Sequence, residues 1–340
     1  MFVTVLIAAG IFGPALSGAG SASPVKLTYA NFPPASTFPC VQMEKWKTVV
    51  EARTEGKVKI QTFPGSTLLG AKNMLDGVMD GVADIGCLAL PYMPGRFPLL
   101  AGVDLPVGFR NAATANAVLF DLYSKYQPKS LSKVKVLTLF AAPPANIISK
   151  KPIRTLQDLE GYELRCTGAG VEPLKLLGAV PVAMPMSETP EALQKGIVKG
   201  VFSSFDILKD FNFAEICRYA TRCNMQTASF AVVMNLDKWN SLPQDVKAVL
   251  DDLARKHSIW TGNYVDYHGK ESIEWSRKKY SVEFIELGKQ EDRLWHEKVR
   301  PITEKWLKET SARGLPARKF LDDLYTLKAK YEKIPVKEIR

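Results

Sequence analysis

The chain has 340 residues, of which 46% are hydrophobic and 24% charged, and its 45 lysines and arginines outnumber 35 acids. Such a composition builds a packed core and excludes disordered and collagen-like chains. The formal charge of +10 is dispersed, and its densest run, Arg277 to Lys279, is too short for a nucleic-acid arm, so no nucleic-acid partner is expected.

The chain opens with an apolar run from Phe2 to Leu16, followed by small residues up to a cleavage zone near Ala22 or Ser23. Residues 1–23 read as a secretory signal, although no basic residue precedes the apolar run. Gly10, Gly13 and Pro14 interrupt the run, and no later segment is long and apolar enough to span a bilayer. An exported protein without stable membrane insertion after signal removal is expected.

From Val25 onward, strand-like and helix-like periods alternate. Val25 to Phe32 predicts a strand, Cys40 to Gly56 an amphipathic helix closed by glycine, and Lys57 to Gly65 a second strand. Ala71 to Leu90 reads as a helix, a glycine break and a buried strand. The pattern returns with strands at Lys133 to Ala141, Tyr162 to Cys166, Val180 to Pro185 and Val201 to Phe205. Helices are expected between them at Thr155 to Gly161, Val171 to Gly178 and Glu188 to Gly196. This is an α/β chain with crossover connections. Two echoing pieces, "GVMDGVA" from Gly77 and "GIVKGVF" from Gly196, suggest a glycine at the left-handed end of each helix.

Beyond Pro243 the composition shifts to long helices. A stripe of Leu250, Leu253, His257, Trp260, Tyr264 and His268 runs at helical spacing, so its histidines read as core residues rather than ligands. A returning strand follows from Val282. Helices at about Asp292 to Thr310, kinked by Pro301, and at Ala317 to Tyr331 close the chain.

The five cysteines form no CxxC pair; the spacing of Cys217 and Cys223 allows a disulfide in an exported protein. The three histidines all lie in the C-terminal third, and no spacing suggests a metal or cofactor site. In "YELRCTGAG", Arg165 ends a strand and faces a glycine-rich turn that opens a helix. A guanidinium fork and helix-start amides both favour an anion. A solvated surface arginine is the competing reading.

Four separated motifs, "NMLDGVMDGVADIG", "KPIRTLQDLEGYELR", "AVPVAMPMSETPEALQKGIVKG" and "VVMNLDKWNSLP", stand in order along the chain. Together they resemble the solute-binding proteins of TRAP transporters, the DctP-like family. The resemblance implies a periplasmic receptor of α/β class with a two-lobe periplasmic-binding-protein-like fold, crossing hinge strands and a long lobe-spanning helix. It would close over an organic acid and deliver it to the subunits of a TRAP membrane permease. On this reading, lobe I takes residues 24–148 and about 233–275, lobe II takes 149–232 and about 276–305, and the helices of 306–340 pack on the lobes.

The same resemblance assigns the ligand carboxylate to Arg165, the arginine of a G-x-x-x-R segment. It also exposes departures. A second arginine common among relatives falls on Pro144, and an asparagine falls on Ser203. Fewer cationic and amide anchors suit a monocarboxylate better than a dicarboxylate. Asn146, Ser203 and Ser204 are the expected secondary polar contacts, while Phe32, Tyr92, Phe205 and Phe230 favour an apolar or aromatic acid, including a 2-oxo or 2-hydroxy acid. The rival readings are an exported two-lobe enzyme using Cys166 or a cleft acid, and a sensor coupled to a membrane kinase.

Overall fold

The computed structural model describes residues 23–335, so the expected signal segment lies outside the described residues except for Ser23. The chain begins with β1 (Val25–Ala30), α1 (Phe38–Arg53), β2 (Val58–Phe63), α2 (Met74–Met79), β3 (Ile85–Ala89), α3 (Ala112–Tyr126) and β4 (Val134–Ala141). It continues through β5 (Asn146–Ser149), α4 (Leu156–Leu159), β6 (Glu163–Cys166), α5 (Val171–Leu176), β7 (Val180–Ala183), α6 (Thr189–Gln194), β8 (Gly200–Ser203), α7 (Ile207–Asp210) and β9 (Tyr219–Arg222). It ends with β10 (Ser229–Asn235), α8 (Leu236–Ser241), α9 (Gln244–Tyr280), β11 (Glu283–Glu286), α10 (Lys289–Val299), α11 (Pro301–Ala312) and α12 (Ala317–Tyr331).

These elements form two sheets. The first has the order β2-β1-β3-β10-β4 and the second β11-β9-β5-β8-β6-β7. In each, the β-α-β units pair in parallel and the strands next to a crossing pair antiparallel: β10 runs against β3 and β4, and β5 against β8 and β9. Strand residues alternate between two packing layers in the second sheet. Ile147, Leu164 and Phe202 join one cluster, while their neighbours Ile148 and Val201 join another.

The chain passes between sheets at residues 142–145 and 223–228, just ahead of the positions 148 and 232 expected from sequence, because Asn146 already pairs in the second sheet and Ser229 already in the first. The two crossings are hydrogen-bonded to each other. Ala142 N donates to Ala228 O at 2.9 Å, and Met225 N donates to Ala145 O at 3.0 Å.

Helix α9 has 37 residues, about 55 Å at the helical rise, and reaches both lobes. Its first half meets the first lobe, where Thr138 Oγ1 donates to Ala254 O at 2.7 Å and a Cβ on Gly262 would come within 2.8 Å of Ala113 Cα. Asp266 accepts the amides of Ala112 and Ala113 at 2.7 and 2.9 Å, satisfying two donors at the start of α3. Farther along, Ser272 Oγ donates to Phe205 O at 2.7 Å in the second lobe. Among the described residues, no helix is long and apolar enough to cross a membrane.

Pro301 breaks the chain into α10 and α11, taking the first helical position of α11, where its missing N–H costs nothing. Trp295 of α10 is buried in the second lobe and Phe320 of α12 in the first, so the terminal helices tie into both. The two glycine echoes are out of phase. Gly81 and Gly196 take the left-handed conformation (φ +77° and +73°), whereas Gly77 lies inside α2 and Gly200 begins β8, so the pieces are not structurally equivalent.

Candidate ligand-binding site

Arg165 is carried by β6 to the cleft between the sheets, and it is 1% exposed. The surface reading of this residue is therefore overturned. Its Nε donates to Met184 O at 3.0 Å, and its Nη2 donates to the same oxygen at 2.7 Å and to Tyr92 Oη at 3.0 Å. Among the described residues it has no carboxylate partner, and Nη1 is left without a hydrogen bond. Neutral acceptors orient the fork and leave one nitrogen open, so a ligand carboxylate can form a charge-assisted pair with it.

Tyr92 ends a 3-10 turn in the first lobe, Leu90–Tyr92. Its Oη accepts from Arg165 and from Met186 N, both at 3.0 Å and both in the second lobe. One hydroxyl thus joins the lobes at the cavity. A second bridge runs from Phe38 N at the start of α1 to Asp210 Oδ2, at 3.3 Å. The lobes also approach closely at Gly168, where a Cβ would sit 2.8 Å from Pro91 O.

Between them lies a cavity of about 70 Å³, room for a compact molecule several waters in size. Arg165, Ser203 and Ser204 face it from the second lobe and Phe32, Tyr92 and Phe230 from the first. The aromatic side is braced by ring contacts. Phe230 stacks on Phe140 with centroids 4.9 Å apart, Phe38 meets Phe230 edge-on at 5.8 Å, and Phe32 meets Tyr92 edge-on at 5.5 Å.

Two expected site residues are not brought to this cavity. Asn146 is spent on the return crossing: its Oδ1 accepts from Cys223 N and Asn224 N at 2.8 and 2.9 Å, and its Nδ2 donates to Pro144 O at 3.0 Å. Phe205 turns into the second lobe, edge-on to Phe284 of β11 at 5.3 Å, with the Arg222 guanidinium over its ring. Both line a separate, more open cavity of about 270 Å³ beside α9. A buried amide with three good partners and a ring with an apolar seat have stronger claims on them than the cleft does.

The sequence reading passed over two acids of the cleft, Asp206 and Asp210. Asp206 is 1% exposed, and burial with Asp210 beside it pushes its carboxyl up. Asp210 accepts from, or shares a proton with, His268 Nε2 at 2.6 Å, and that hydrogen bond holds the imidazole above its usual range. The spacing "FDILKD", acids four apart beside the Ser203–Ser204 pair, was the available signal. His257, by contrast, packs as expected: it bonds Gln42 at 2.9 Å, and burial lowers it to about 4.

All five cysteines are free and buried. The allowed Cys217–Cys223 disulfide does not form, because β9 separates the two and sends them to opposite packing layers of the second sheet. Cys166 is pushed up to about 11 by burial, which outweighs the adjacent Arg165.

In comparison with known families, residues 29–310 match the model of bacterial extracellular solute-binding protein, family 7. The chain belongs to this family. A solved TRAP periplasmic solute-binding protein from Desulfovibrio salexigens DSM2638 is 54% identical, with a TM-score of 0.83, covering 92% of this chain and 98% of that one. A marine metagenome TRAP solute-binding protein, specific for aromatic acid ligands and solved with 3-hydroxybenzoate, is 27% identical with a TM-score of 0.87 over 91% of this chain and 99% of its own. Among curated proteins, the C4-dicarboxylate-binding periplasmic protein DctP of Rhodobacter capsulatus is 24% identical over 92% of this chain and 96% of its own. The family consists of substrate-binding receptors, and this family 7 chain has their two-lobe α/β fold.

Proposed function

We propose that this family 7 protein is a periplasmic receptor that captures an apolar or aromatic monocarboxylate in the cavity under Arg165 and delivers it to a TRAP membrane permease. The observation that carries the reading is a buried arginine held by neutral acceptors, with no carboxylate partner among the described residues, over an aromatic wall. Ser203 and Ser204 are the hydroxyl contacts, and Phe32, Tyr92 and Phe230 the apolar ones. Asn146 and Phe205 support the hinge from the other cavity. The lobes turn about the paired crossings at 142–145 and 223–228, and ligand contacts from both favour the closed form.

Two relatives support this direction. The 54% identical protein was solved as an open complex with the C-terminus of a symmetry mate in its ligand-binding site, and a chain terminus presents a carboxylate. The 27% identical protein is specific for aromatic acids. Against the dicarboxylate of the Rhodobacter relative stands the single cation of this cavity. The protein binds and does not transform its ligand; the raised Cys166 thiol counts against a nucleophile there.

A thermal-shift and calorimetric screen of ligand-free protein tests the reading. A monocarboxylate at a hundred times its Kd should add about 2.7 kcal/mol of stability, with dicarboxylates weaker. Uptake of that acid into vesicles bearing the TRAP membrane subunits should require this protein. Silence of every acid in the screen, from folded protein, overturns it.

A further inference from the structure

The cavity wall also carries a buried acid, Asp206, with one carboxyl oxygen unpaired. Among its described lining residues, Asp210 is held by His268 Nε2 at 2.6 Å, with Glu271 Oε2 3.9 Å from the other ring nitrogen, and so makes a local ion pair. Arg165 and Asp206 have no ion-pair partner among the described residues. Asp206 is almost completely buried, and its Oδ1 finds no hydrogen-bond donor. Native structures seldom leave such an oxygen empty, and where it borders a cavity a ligand can supply the donor.

We propose that the cavity takes an amino acid, its carboxylate on Arg165 and its ammonium on Asp206. The inference rests on the organic-acid reading above and narrows it. A plain carboxylate would answer Arg165 and leave Asp206 with only the Ser204 hydroxyl, a backbone amide and the nearby His268 to offset burial and the neighbouring Asp210, a costly arrangement. A zwitterion matches both groups and leaves the closed cavity without a net uncompensated charge. The ammonium also brings three donors to an oxygen that has none. Burial and Asp210 already strain the Asp206 carboxylate, so a cation beside it is worth more than it would be in open solvent. The aromatic rings opposite leave the side chain of the amino acid apolar. Specificity of this kind is large, because a site built around a buried polar group rejects analogues that leave the group unpaired.

The test uses two matched sets on fixed carbon frames: phenylglycine, mandelate, phenylglyoxylate and phenylacetate, and valine with its 2-hydroxy, 2-oxo and unsubstituted counterparts. Calorimetry on the ligand-free chain should find the amino member of at least one set bound ten-fold or more tighter than its oxo and unsubstituted partners. Asp206→Asn should collapse that preference, weakening the amino member and leaving the unsubstituted acid bound as tightly or more tightly. Should Asp206→Asn fail to fold, the wild-type ranking decides alone. Tightest binding by a hydroxy, oxo or unsubstituted acid, or a ranking unchanged in Asp206→Asn, overturns the amino-acid inference and leaves the organic-acid reading standing. Failure of every member of both sets to bind overturns both.

Discussion

The two cavities that meet at Asp206 differ in what their polar groups are doing. Behind it, the buried or half-buried polar groups of the larger cavity are engaged: Asn146 holds the return crossing, Arg222 pairs with Glu286 at 2.9 Å and Asp266 holds the start of α3, while its cations without an ion-pair or hydrogen-bond partner among the described residues, Arg110 and Lys270, are exposed to solvent. In front of it, the smaller cavity presents Arg165 and Asp206, both buried and without a salt bridge among the described residues. Volume alone would favour the larger of the two. Unspent polar capacity at a closed, aromatic-walled cleft is the better indicator of a binding site, since a polar group already satisfied gains little from a ligand.

The contrast is broken most directly at Arg165. Arg165→Ala should weaken binding of the cognate acid by about a hundred-fold or more in calorimetry, the scale expected when one partner of a buried charge pair is removed. Asn146→Ala should do the reverse, costing about 2 kcal/mol of stability in denaturant melts because two amides of the crossing lose their acceptor, with ligand affinity of the remaining folded protein within a few-fold. If Asn146→Ala instead cost affinity at unchanged stability, the division between the cavities would fall.

A pH series separates hinge stability from ligand binding. Asp104 receives Ser229 N at 2.8 Å where the return crossing enters β10, and burial raises its carboxyl to about 7. The unfolded carboxyl titrates near 3.9, so ionisation is penalised only in the folded chain. Its contribution is therefore full below about pH 4 and is lost as pH rises through about 7. Asp104→Asn should flatten the melting temperature across that window by a margin on the order of 2 kcal/mol, without changing ligand preference.

Gly168→Ala places a methyl 2.8 Å from Pro91 O where the lobes meet, and if the lobes part without ligand it should lower affinity about ten-fold while the ligand-free melting temperature holds. The smallest effect belongs to Tyr92→Phe. It keeps the ring on Phe32 but removes an acceptor shared by Arg165 and Met186, and a loss of about 1 kcal/mol, seen as a few-fold faster ligand release, is expected.

Much of the fold was legible locally. The Ala317 to Tyr331 helix matches its expected bounds, and Thr155 and Asp158 form the capping box that starts α4. Helix α3 is not legible in the sequence, because its alanine-rich first half, buried throughout, lacks the polar face that marks a helix. Within the site, Arg165 was visible as a strand-end fork before a glycine turn. Asp206 was not, since an acid beside two serines looks like a solvated turn until burial is known.

What the sequence by itself determined was periodicity, caps and the residue types available at each strand end, because these depend on neighbours within a few positions. Tertiary structure alone decided which polar groups remain unspent. Asn146 and Ser203 are register partners across β5 and β8, yet one is consumed by a turn at residues 223–224 and the other borders the cleft. That difference is set by segments some eighty residues away in the chain. Hydrogen-bond satisfaction is a property of packed surroundings, and only the folded chain provides them.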